Sequence, residues 1–156
     1  MQASLLKIMH YCVVILILMA TSTLSYAEER DDAIGQIKTL SGSATVERDG
    51  KKMALWIGSE LFQKDTIITG PKGQIGMTFI DNTMFSAGPD TEIALDQFNF
   101  DTTTYQGVFK SDVRRGTLAA VSGKIAKHSP GNMTVKTPSA ILGVRGTRFL
   151  IAVEGE

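Results

Sequence analysis

The sequence predicts an all-β fold of many short strands. Apolar residues recur at every second position within short runs, and the runs stop at Gly, Asn, Asp or Pro roughly every 8–12 residues. No apolar stripe of helical spacing persists for three turns, which argues against amphipathic helices. Periodicity leaves open whether the strands build a sandwich, a barrel or a solenoid.

The first hairpin centres on Asp49-Gly50, a pair suited to the positive φ angles of a two-residue type I′ turn. Ala44 and Val46 before it and Met53 and Leu55 after it supply the flanking alternation. Thr66-Ile67-Ile68-Thr69 is a β-branched run that stops at Gly70-Pro71. Ile75, Met77 and Phe79 alternate toward one face, Asp81-Asn82 turns the chain, and Met84-Phe85 starts the next segment. Ile93 and Leu95 alternate once more before a polar, aromatic stretch. The segments GTLAAVSGKIA and NMTVKTP follow, with Met133, Val135 and Thr137 on one side and Pro138 ending or edging the strand.

The last segment, TPSAILGVRGTRFLIAV from Thr137 to Val153, reads as one apolar strand interrupted by Arg145-Gly146-Thr147-Arg148. Leu142 and Val144 hold even positions before the interruption, whereas Phe149, Ile151 and Val153 hold odd ones after it. A strand has a period of two, so one extra residue at Gly146, a bulge, returns both halves to the same core. Arginine stems suit apolar surface and their guanidiniums suit carboxylates. That casts Arg145 and Arg148 as internal braces for acids such as Asp81, Asp90 or Asp96, with contact to a partner as their other role.

Residues 1–27 are expected to be a cleaved signal peptide. Lys7 gives the positive start, Cys12 to Ala20 the apolar run, and Ser25-Tyr26-Ala27 the small residues of a cleavage site. The apolar run makes about 14 Å of helix, too short for a bilayer core that needs about 20 residues. Residues 28–33 then form an acidic tail and 34–156 a single β domain, placed in the periplasm or secreted. Cleavage removes Cys12 and His10, leaving a chain without cysteine whose stability rests on core packing.

Charge is unevenly spread. Residues 28–109 hold thirteen acidic and seven basic side chains, whereas 110–148 hold eight basic ones and only Asp112 as acid. The halves either neutralise each other or leave Lys110, Arg114, Arg115, Lys124, Lys127 and Lys136 as a face for an anionic partner. Export favours an envelope protein, with an anionic cell-wall polymer as the alternative, over nucleic acid. No membrane span is expected after cleavage.

The chemical inventory is thin. His128, in the expected loop KHSPGN, is the one histidine left after cleavage, so zinc and thiol chemistry are not expected. Asp81, Asp90, Glu92, Asp96 and Asp101 could in principle pair as glycosidase carboxylates. Turns and a solvated strand face account for them as well. Phe98, Phe100, Tyr105 and Phe109 read as a core-edge cluster or a shallow sugar- or peptide-binding patch, and Trp56 as a core residue.

Val144-Arg145-Gly146-Thr147-Arg148-Phe149, preceded by Val135-Lys136-Thr137-Pro138, resembles the closing signature of the FecR domain. The likeness extends through Gly58 to Phe98, which is similar to the family's Asp-x-Ile-x-Thr-Gly, its Asp-Gly-Thr turn and its Gly-Pro-x-Ser/Thr-x-Ile/Leu strand. It covers roughly 34–153. Asn82 stands where that turn usually has glycine, and asparagine tolerates the same left-handed geometry. The resemblance implies a β-rich periplasmic module, solenoid-like in the relatives, which in regulators relays a signal from an outer-membrane receptor. With only an export signal ahead of the domain, the binding half is expected without the transducing half. The expected function is therefore a non-catalytic, cofactor-free interaction or sensing module of the envelope. Envelope polysaccharide binding is the alternative, and a hydrolase built on the Asp81–Asp101 carboxylates is a third reading.

Overall fold

The computed structural model describes residues 32–145 and 148–154. The expected signal at 1–27, most of the acidic tail and the expected bulge at Gly146 lie outside them. The all-β expectation is met: twelve strands form one hydrogen-bonded network, joined by a single short helix among the described residues. In chain order they are β1 (Gly35–Ser41), β2 (Ala44–Arg48), β3 (Lys51–Ala54), β4 (Glu60–Leu61), β5 (Thr66–Thr69) and β6 (Gln74–Phe79). Then come β7 (Met84–Ala87), β8 (Glu92–Phe100), β9 (Gly107–Val121), α1 (Lys124–His128), β10 (Met133–Lys136), β11 (Ile141–Gly143) and β12 (Arg148–Val153).

The turn chemistry works as the sequence predicts. Asp49 and Gly50 adopt φ of 51° and 72°, and Arg48 pairs with Lys51 across them. Asn82 takes φ 68° between β6 and β7. Ile75, Met77 and Phe79 are all buried, as are Met133, Val135 and Thr137.

The network is a curled sheet, a half-barrel around one core. One arm runs β3-β2-β5-β8-β9-β10-β11, and the other runs β4-β1-β6-β7-β9-β12. Every pairing is antiparallel except β9 with β10. A solenoid stacks its strands in parallel, so of the sandwich, barrel and solenoid alternatives this curled antiparallel sheet lies nearest the barrel.

β9 belongs to both arms. Its first half lies between β8 and β10, and its second half between β7 and β12. Phe109 and Val113 point inward at odd positions, while Leu118 and Ala120 point inward at even ones. The switch falls at Gly116, whose φ of +84° glycine adopts without a Cβ clash. The parity argument is thus sound physics, and this structure displays it in β9. The expected single strand from 137 to 153 is two strands in different arms: β11 pairs with β10, and β12 pairs with β9.

Phe79, Phe85, Phe98 and Phe109 interlock in the core, with ring centroids 4.7 to 6.0 Å apart in edge-on and stacked pairs. Three expectations need correction. Trp56 is 64% exposed, because the tight turn from Trp56 to Ser59 holds it outside the core. The all-β reading places no helix in GTLAAVSGKIA, but β9 ends at Val121 and α1 then buries Ile125 and Ala126. His128 is accordingly the last helical residue rather than a loop residue.

Candidate interaction surface

Upstream of the closing signature, three residues that carry the family resemblance, Asp65, Thr69 and Asp81, turn inward and hold corners. Asp65 is fully buried and accepts from Arg48 Nε at 2.7 Å, Arg48 Nη2 at 2.8 Å and the Phe62 N–H at 2.9 Å. The Thr69 hydroxyl donates to the Gly88 carbonyl at 2.7 Å and accepts from the Thr91 N–H at 2.8 Å. Asp81, also fully buried, accepts from the Thr83 N–H, the Thr83 hydroxyl and the Ile125 N–H. These side chains replace the ladder bonds that a curled sheet loses at each corner. Their chemistry is spent inside the fold.

That result removes Asp81 from any surface chemistry. Asp101 is exposed and caps its own turn, and the Thr104 and Thr103 N–H groups hold its carboxyl below the usual range. Asp90 sits at φ 49° in a turn, as its neighbours Gly88 and Pro89 suggest. Burial, followed by the like charge of Asp112, raises the Asp96 carboxyl.

The basic residues divide by setting. Lys110 and Arg114 lie exposed on the outer face of β9, and Lys127 is exposed on α1. Lys124 sits 4.1 Å over the Tyr105 ring, which also stacks on Phe100 and approaches His128. Lys136 reaches Asp112 at 3.6 Å. Arg114 and Arg115 grip Glu92 at 2.9 and 3.2 Å, the point where the acidic half meets the basic half.

Glu92 gives a pH prediction. The Arg114 hydrogen bond lowers its carboxyl below 4.5; partial burial opposes this and the Arg115 bond adds to it. A folded pKa below the unfolded one gives stabilisation that is complete above the unfolded value and lost as pH falls through the folded value. Both arginines are about half exposed, so solvent screening holds the effect to roughly 0.2–1 kcal/mol. Glu92→Gln should melt below the wild type at about pH 6, with the gap closing toward about pH 3. A gap independent of pH would assign the effect to packing.

Arg145 and Arg148 are exposed, and neither forms an ion pair among the described residues. The expected brace to Asp81, Asp90 or Asp96 is absent: Asp81 is already saturated by donors, and the other two belong to a turn and to the outer face of β8. Phe149 packs against the core, as do Ile151 and Val153 on the same side of β12. Arg145, Arg148 and Phe149 therefore stand on described ground, while Gly146 and Thr147 of the same signature do not.

Near this segment apolar side chains come to the surface. Ile141, Leu142 and Leu150 are 73%, 42% and 74% exposed. Leu142 is expected in the core and is not there, because among the described residues β11 is a terminal strand paired with β10 alone. A groove of about 740 Å³ opens between the β10–β11 loop and β12, lined by Arg114, Arg115, Pro138, Leu142 and the residues 150–154. Sequence reasoning missed this groove, since it depends on which strand ends each arm.

The family model described as FecR protein matches residues 65–156. Among solved structures, a chain described as a cell surface anchoring domain is 35% identical over a match covering 39% of this chain and 82% of that one, with a TM-score of 0.38. No curated protein matches.

Proposed function

The chain belongs to the FecR family, and from that premise we propose that it is an exported, non-catalytic interaction or sensing module of the cell envelope. One observation carries the reading: Leu142, Leu150 and Ile141 are exposed beside arginines at open strand ends, a combination that suits protein contact. The inward commitment of Asp65 and Asp81 supports a binding role over chemistry. Export through residues 1–27 places the partner in the periplasm or outside the cell.

The test is a photoreactive residue at Ser139, beside the groove, in envelope-producing cells. A discrete adduct is expected there and not at Lys72, an exposed turn residue far along the chain. Arg114→Glu with Lys110→Glu should reduce the adduct about tenfold. Equal labelling at both positions would retire the reading.

A polysaccharide role has its own support in the Phe100–Tyr105 stack capped by Lys124. Co-sedimentation with purified cell-wall polymer separates the two: pelleting abolished by Tyr105→Ala favours the polymer.

A further inference from the structure

We infer that the edge of β12, which no strand among the described residues pairs, is a slot for an extended segment of another polypeptide, one with apolar side chains at alternate positions and an acidic end. The inference rests on the interaction reading above and names where and how the contact is made.

The slot follows from the strand count on one side of β9. One arm continues past β9 by two strands, β10 and β11, while the other continues by only one, β12. Val135 and Leu142 are cross-strand partners and so share a face. Val135 is fully buried, whereas Leu142 is 42% exposed. The core-facing side of β11 therefore overhangs a space that one further strand beside β12 would fill. The groove lies there, and consecutive residues 150–154 line it, so its wall is the backbone edge itself.

The other edges are guarded and this one is not. β3 carries Lys51 and Lys52, β4 is two residues long with Glu60, and β11 is only three residues long. Charged and very short edge strands deter pairing. β12 is six residues long and has no charge between Arg148 and Glu154. Strand addition to such an edge gains main-chain hydrogen bonds, and alternate side chains confer choice.

The occupant's chemistry follows from the ends. Arg145 and Arg148 mark one end with no ion pair among the described residues, which calls for a carboxylate. At the other end Arg114 and Arg115 are already paired with Glu92, which calls for none. Apolar residues on one side would cover Leu142.

The probe is a labelled eight-residue peptide with valine and threonine alternating over five positions, lysine at its amino end and two aspartates at its carboxyl end. Saturable binding to the purified protein is expected. Methylating alternate backbone nitrogens should weaken it at least tenfold in one frame and less than twofold in the other, because only every second amide faces the β12 edge. Leu142→Asp should cost about tenfold. Arg148→Glu should cost a similar factor, regained with lysines in place of the aspartates. Circular dichroism confirms that each variant folds.

No saturable binding, or equal sensitivity in both methylation frames, overturns the slot. So does a dimer in sedimentation that Leu142→Asp returns to monomer, since the occupant is then a second copy. If the Ser139 adduct forms while the peptide fails, the envelope role stands without the slot. If the peptide binds while no adduct forms, the slot stands without that role.

Discussion

Gly116→Ala should destabilise the fold by about 2–6 kcal/mol, combining roughly 1–3 for a strained φ and roughly 1–3 for overpacking. Gly116 adopts φ +84°, and a Cβ there would meet the Thr91 hydroxyl and come within 2.5 Å of the Thr91 Cα. That hydroxyl accepts from the Thr117 N–H at 3.0 Å, fastening the β7–β8 crossing to the corner of β9. The clash therefore falls on backbone and on a working hydrogen bond together. Gly131→Ala is the control: its φ is +91°, but nothing lies within 4 Å of the added methyl. It should lose only about 1 kcal/mol. Denaturant melts of the two variants make the comparison. Equal losses would mean that Thr91 moves aside and the corner is soft.

The Arg48–Asp65 pair should show the second large effect, with an order that follows from burial. Asp65 has no side-chain exposure, while Arg48 keeps 30%. Asp65→Ala removes acceptors from a guanidinium that can turn to water and from the Phe62 N–H. That should cost about 2–4 kcal/mol. Arg48→Ala leaves a carboxylate with no route to solvent, and also removes the guanidinium lying 4.2 Å over the Phe62 ring. It should cost at least as much as Asp65→Ala. Urea midpoints ranking the two the other way would show that the carboxylate is better solvated than its burial implies.

Local signals in this chain were legible where one residue type meets one backbone need. Asp49-Gly50 and Asn82 announced their turns because few other residues take positive φ. The alternation of Ile75, Met77 and Phe79 announced a strand with one wet face. The parity switch at Gly116 was equally readable from Val113, Leu118 and Ala120, although the eye is drawn to the arginines around Gly146 instead. Trp56 and Leu142 misled for the opposite reason: both are apolar, and only their neighbours in space determine whether anything covers them.

The chain alone determined its class, its turns, the inward faces of most strands and its family likeness, because each is set by residues a few positions apart. Partner choice for β9, the exposure of Leu142, the burial of Asp65 and Asp81 and the open edge of β12 depend on strands up to dozens of residues distant. Hydrogen-bond ladders form between any two compatible edges, so pairing carries little trace in local pattern. Only the folded sheet, curled at Gly116, settles which strands stand at its edges among the described residues.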